Sequence, residues 1–218
     1  MELPLFPLDV VVFPGMTVPL HVFEERYKRL VHEVLVQEQE PKRFVIVWSS
    51  GNAPIRDTPD HLARYGTIVH VLSVEENEDG TYDLLAHGQE RCEVSISRIE
   101  QVPEPGGEPR PLYYTEEQPA PLGRDDPNAE AVAAWDAVDT FRDYAGKRFR
   151  GDAEDEIDAH LPDDPFYQAS FVCANILVPP SSKQSLLEAR SLRERLDLAR
   201  ALMQERMEPR ARVRRGRA

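Results

Sequence analysis

The sequence predicts an α+β protein in which a β-rich half, about residues 1–120, precedes an α-helical half, about 125–208, with a basic tail at 209–218. Three observations carry this. The first 22 residues break short apolar runs with Pro4, Pro7, Pro14 and Pro19, which remove backbone donors and cannot belong to one helix. Apolar runs and alternating apolar and polar positions then recur between Phe44 and Ile99, the period-two signature of strands with one buried face. Near residue 120 the period changes: apolar residues fall three and four apart behind two Asp-Pro pairs, each a cap followed by a first-turn proline.

In order, Leu5–Pro7 and Val10–Phe13 with Val18–Leu20 read as two short strands bent at Pro14-Gly15, a pair suited to a type II turn. His21 to Glu40 reads as a helix whose stripe is Leu20, Phe23, Tyr27, Leu30, Val31, Val34 and Leu35. Phe44–Trp48 is a strand, 53–63 an irregular connection, and Tyr65–Val74 a strand in which Gly66 admits a bulge or close chain approach. Asp79-Gly80 marks a hairpin, Thr81–Ala86 the returning strand, Gly88 a bend, and Cys92 to Ile99 a further alternating strand. Pro109 and Pro111 limit Leu112–Tyr114 to an edge strand. At least five strands are expected. Helices follow over Ala129–Tyr144 (Val132, Trp135, Val138 and Phe141 inward), Ala153–Leu161 and Phe166–Leu177, with a basic break between Gly146 and Gly151. A final helix capped by Ser181 or Ser182 runs to about Glu208 on a stripe of Leu187, Leu192, Leu196, Ala199, Met203 and Met207.

The chain has 218 residues, 41% hydrophobic, with a formal charge of -13. That charge disfavours long-range attraction to nucleic acid or anionic membrane. It shows neither a basic-then-apolar leader nor a run of 18 apolar residues, so a cytoplasmic protein without membrane attachment is expected. Cys92 and Cys173 stand apart from each other and from any ligand pattern, and read as buried free thiols.

LPLFPL, VVFPG, PLHVFEERY and the later KQSLLEARSLRERL resemble the landmarks of the Lon protease N-terminal (LON substrate-binding) family, over Leu3 to about Glu205. The family usually has proline where Glu25 stands. The resemblance implies a PUA-like mixed β-barrel or pseudo-barrel followed by a helical bundle, in a stand-alone member. It also implies binding of protein substrates for an ATP-driven protease. The ATPase and protease modules that follow this region in Lon proteases have no counterpart here: no G-x-x-x-x-G-K-[ST] loop occurs, and only ten residues follow Glu208.

No catalytic residue emerges. Ser182-Lys183 is adjacent in sequence, which does not create proton-transfer geometry; a cap and a solvated lysine are expected. The six histidines are dispersed without H-E-x-x-H or H-x-H spacing, leaving only a metal site assembled from distant residues. Asp155, Glu156 and Asp158 lack the twelve-residue calcium pattern. In FEERY, Glu24 suits a helix start, while Arg26 and Tyr27 anchor the helix to the sheet or touch a partner. Arg91, in GQERCEV, pairs with a helix carboxylate or offers its guanidinium to a peptide; the first is the expectation.

The resulting functional expectation is non-catalytic recognition of apolar or partly unfolded polypeptide segments in a cleft between the halves, without cofactor, alongside a separate protease or chaperone. Phe23, Arg26, Tyr27, Arg91, Trp135 and Phe171 are the candidate contacts or anchors, and the aromatic ones serve equally as core. The alternatives are an enzyme with a dispersed site and a nucleic-acid-associated module. The latter would use the five arginines of 210–217, which bind phosphates without sequence preference or simply keep a flexible tail in solution.

Overall fold

The computed structural model describes residues 1–35, 42–50, 58–148 and 153–208, with side chains omitted at 153 and 154. Strands β1 (Glu2–Leu8) and β2 (Thr17–Val22) precede helix α1 (Glu25–Leu35). Strands β3 (Arg43–Ser49), β4 (Leu62–Glu76), β5 (Tyr82–Glu93), β6 (Ile96–Val102) and β7 (Arg110–Glu116) complete a seven-stranded sheet. Helices α2 (Pro127–Arg148), α3 (Ala153–His160), α4 (Pro165–Asn175), α5 (Pro180–Leu187) and α6 (Leu192–Met207) follow. The end of the first predicted helix, the first five residues of the 53–63 connection, the second half of the basic break and the tail lie outside the described residues.

The sheet order is β2-β5-β4-β3-β1-β7-β6, antiparallel except where β1 meets β3. Strand β1 bends the sheet into a pseudo-barrel because its two ends have different partners. Glu2–Pro4 pairs with β7, and Leu5–Leu8 pairs with β3. Each stretch therefore has a free edge, where a proline's missing donor costs nothing. The same reason corrects the reading of Leu112–Tyr114 as an edge strand. β7 is internal, between β1 and β6, yet Pro111 lies in the portion paired only with β6.

Between the edge strands β2 and β6 sits α1, packed on the interior. Its buried Arg26, Tyr27, Leu30, Val31 and Val34 follow the helical spacing. Tyr27 stacks on Phe6 at 4.3 Å between ring centres. The helix starts at Glu25, later than expected, since His21 and Val22 still pair with β5.

Val10–Phe13 is no strand; the chain there runs between two cores. Val12 points into the barrel interior, while Val11 and Phe13 join the helical core with Val138, Phe141, Tyr144, Val172, Ile176 and Met203. Thr67 Oγ1 donates to the Val12 carbonyl at 2.6 Å. The turn at Pro14-Gly15 is type II: Met16 N–H donates to the Phe13 carbonyl at 3.1 Å and Gly15 has φ of 88°.

Gly88 lies at a bulge of β5, where the pairing shifts between Ile68–Glu90 and Val69–Gly88, and it lets this turn approach the strand. Gly15 N–H donates to the Gly88 carbonyl and Gly88 N–H to the Met16 carbonyl, both at 2.8 Å. A Cβ on Gly88 would lie 2.6 Å from the Phe13 carbonyl oxygen, which is backbone and cannot swing away. Gly88→Ala is expected to cost about 1–3 kcal/mol, measured as a lower urea midpoint. An unchanged midpoint would show that the turn is free to lift from the sheet.

Two helical expectations are corrected. On α2 the buried face is Ala133, Ala134, Ala137, Val138, Phe141, Tyr144 and Ala145, while Val132 and Trp135 are exposed. The final helix is two: α5 ends at Leu187, and Ser191 caps α6, its side chain accepting from Glu194 N–H at 3.1 Å. Glu194 reaches back to the Arg190 N–H at 2.6 Å, a reciprocal cap that fixes the break. Neither Ser181 nor Ser182 caps α5, which opens on Pro180. Cys92 and Cys173 are buried free thiols, and burial pushes both up to about 12.

Candidate functional site

The β-rich and helical parts meet along the segment Val10–Val18, and two clefts border it. The first, about 360 Å³, has Pro14, Gly15, Met16, Thr17 and His87 on the sheet side. Pro162, Tyr167, Ser170, Phe171, Ala174 and Asn175 face them from α4 and its approach. Asp164 sets the start of α4 by accepting from Phe166 N–H at 2.8 Å. That start puts Tyr167 and Phe171, four residues apart, on one face. Tyr167 packs close over Gly15, where a Cβ would meet its ring at 2.9 Å. Phe171 is half-buried and edge-on to Phe141 at 6.0 Å. Ser170 Oγ is buried at the base without a hydrogen-bond partner among the described residues.

The second cleft, about 350 Å³, is lined by Val10, Val11, Val12, Met16, Thr17 and Val18 against Val178, Pro180 and Lys183. Lys183 is not a solvated surface residue. Its Nζ donates to the Ala174 carbonyl at 2.6 Å, closing the end of α4, and desolvation lowers its pKa. Nearby Cys173 is fully buried, and burial pushes its thiol up to about 12.

Of the six sequence candidates, Phe171 alone lines either of these two clefts. Phe23 is 63% exposed at the joint between β2 and α1, beside His21. Trp135 is 66% exposed on the outer face of α2. Arg26 is buried: it donates to Glu24 at 2.9 and 3.1 Å and to the Pro111 carbonyl at 3.3 Å, anchoring α1 to β7. Arg110 joins Arg26 on the same carboxylate oxygen of Glu24. Tyr27 belongs to the core described above.

Arg91 corrects its expectation. Its partners are not a carboxylate but four backbone carbonyls: Ala120 at 2.6 Å, Pro121 at 3.2 Å, Leu187 at 2.9 Å and Ala189 at 2.7 Å. Its guanidinium lies 4.7 Å from the Tyr65 ring centre. The residue clasps β5 to the connection between halves and to the end of α5. Desolvation lowers its pKa, opposed by Tyr65 and Glu188. Tyr167 and Met16 were missed, although the Phe166–Leu177 helix and the Pro14-Gly15 turn that carry them were both legible.

A family model of the ATP-dependent protease La (LON) substrate-binding domain matches residues 2–205. The chain belongs to this family. Among similar proteins, the Lon protease of Brucella melitensis biotype 1 is 28% identical over 198 residues, 90% of this chain and 23% of the relative. The Lon protease of Escherichia coli K12 is 25% identical over 204 residues, 93% of this chain and 24% of the relative. The chain thus spans about a quarter of the length of the curated relatives it matches. The N-terminal domain of a Mycobacterium avium complex Lon protease shares the fold, with a TM-score of 0.70 at 17% identity, covering 95% of this chain and 100% of that one. A Lon N-terminal domain protein from Xanthomonas campestris does so with a TM-score of 0.59 at 21% identity, over 92% and 98%.

Membership of the LON substrate-binding family accounts for the pseudo-barrel followed by helices. Among the described residues, no helix is long and apolar enough to cross a membrane, and no three or more His, Cys, Asp or Glu are grouped to hold a metal ion.

Proposed function

We propose that this LON-family chain recognises exposed apolar segments of partly unfolded polypeptides, without chemistry of its own, and presents them to a separate protease or chaperone in the cytoplasm. The observation that carries the reading is the cleft where Tyr167 and Phe171 face the Pro14–Thr17 turn. Such a surface gains affinity by removing apolar area from water, and its backbone and polar rim orient the bound segment. The family supports a substrate-binding role. The buried thiols, with their protons tightly held, suit a binding protein rather than a thiol enzyme.

Fluorescence anisotropy with a labelled apolar peptide, competed by urea-unfolded protein, tests this. Tyr167→Ser is expected to weaken binding about fivefold or more, roughly 1 kcal/mol. Tyr167 is 41% exposed, so the substitution should leave folding close to wild type. Trp135→Ala, on the far face of α2, should leave binding unchanged. Equal affinity of wild type and Tyr167→Ser would place the client elsewhere and reject the cleft.

A further inference from the structure

The chain has six histidines, and four are engaged singly. His21 meets Asp83 at 2.8 Å, His32 the Tyr82 hydroxyl at 3.3 Å, His61 the Ser50 hydroxyl at 3.3 Å, and His160 the Glu156 carbonyl at 2.9 Å. His70 and His87 differ. They are direct cross-strand partners on β4 and β5, and their ring centres lie 5.3 Å apart with planes tilted by 44°. Strand alternation puts both on the outer face of the sheet, since neighbouring Val69, Val71 and Ala86 pack into the barrel interior.

We propose that His70 and His87 form a bidentate site for a late divalent transition metal, zinc or copper, with its remaining positions left to water. The spacing fits. A metal held by one nitrogen of each ring at about 2.0–2.1 Å sits about 3.2 Å from each ring centre, so a tetrahedral bite separates the centres by about 5.2 Å.

The surrounding hydrogen bonds fit as well. His87 Nδ1 lies 3.2 Å from Thr17 Oγ1, its cross-strand neighbour on β2. A bond there orients the ring and leaves Nε2 as the donor to a metal, the usual arrangement behind a ligating histidine. His70 Nδ1 is buried without a hydrogen-bond partner, and a buried polar atom in that condition marks a place for an ion or water. Arg43, next in the same row beyond His70, does not leave a bare positive charge beside the pair. Its guanidinium is engaged by both carboxylate oxygens of Glu117, at 2.6 and 3.3 Å.

Among the described residues, no third His, Cys, Asp or Glu joins the pair. A site of this kind binds by chelation alone, follows the divalent series with copper tightest, and stays exchangeable. It stands whether or not the adjoining cleft takes a client.

Zinc chloride titrated into the full chain by calorimetry should show one ion bound per chain. His70→Asn and His87→Asn should each weaken it about tenfold or more, and His61→Asn should leave it unchanged. Zinc should raise the wild-type Tm and leave that of either pair variant where it was. Copper(II) bound to the wild-type chain provides a measurement independent of any variant, since its electron paramagnetic resonance spectrum should carry hyperfine coupling from two imidazole nitrogens. A spectrum with one nitrogen or none, or zinc affinity within threefold of wild type in a folded pair variant, overturns the site.

Discussion

Arg91→Ala is expected to lower folding stability by about 3–5 kcal/mol, the largest loss from any single polar side chain in this protein. The reason lies in the acceptors rather than in the charge. Leu187 and Ala189 lie at and just past the end of α5, where carbonyls have no partner within the helix. Arg91 satisfies both, together with the carbonyls of Ala120 and Pro121. Buried Arg195 helps from α6, donating to Leu186 at 3.0 Å and Leu187 at 3.2 Å. Two cations therefore close one helix end, and they repel. Desolvation pushes Arg195 down to about 10, with Arg91 adding to the shift and Cys173 opposing it. Removing Arg91 relieves that repulsion, but it also leaves buried carbonyls at about 1–3 kcal/mol each, so the loss dominates.

Three variants separate the contributions. Arg91→Lys keeps the charge and reaches fewer carbonyls, so it should fall between wild type and alanine. Arg91→Met keeps apolar contact with Tyr65 and no donor, and should be almost as unstable as alanine. Urea unfolding followed by far-UV circular dichroism and by Trp48 fluorescence provides the measurement, because Trp48 on β3 packs against the helical core and reports the junction. The midpoint should fall by about 1–5 M, given a urea dependence of about 1–3 kcal/mol per M. Wild-type stability in Arg91→Met would mean that stacking on Tyr65, not hydrogen bonding, holds the halves together.

Arg91 also shows where sequence reading stopped. The glycine-to-arginine pattern singled the residue out, yet its partners lie 29 to 98 positions away, and nothing in the local sequence points to carbonyls rather than carboxylates. Local signals fared better. Asp126 accepts from Asn128 and Ala129 N–H as its Asp-Pro context predicts. The Pro14-Gly15 turn forms as its residue types demand. The cap at Ser191 was equally local, but the apolar spacing of Leu187 and Leu192 masked the break between α5 and α6. Val10–Phe13 misled for a different reason. A segment alternating between two cores has the same period as a strand, and only its neighbours reveal that no ladder forms. On α2 the larger apolar residues, Val132 and Trp135, suggested one buried face, whereas the helix buries its alanines because close helix approach needs small side chains.

That alanine face makes Leu196→Ala the most damaging core truncation to expect, about 4–5 kcal/mol, at the upper end of the leucine-to-alanine range. Leu196 is fully buried on α6, among Ala133, Ala134 and Ala137 of α2, Ala169 and Phe166 of α4, Leu122 and Leu192. A cavity costs less where long side chains can lean into it. Alanine methyls cannot lean, so on the α2 side the void closes only if the helix shifts, and α2 is already pinned at its start. There buried Glu130 accepts from Arg124 at 2.7–3.0 Å and from Asp125 N–H at 2.8 Å. Trp135→Ala removes a larger side chain from the same helix, yet at 66% exposure it should change stability by no more than about 0.5 kcal/mol. Urea midpoints of the two variants test the pair together. The ordering matters more than either value. If Trp135→Ala proved the more destabilising, the outer face of α2 would be covered in solution by another surface, and the alanine seam would not be the element that holds the helical half together.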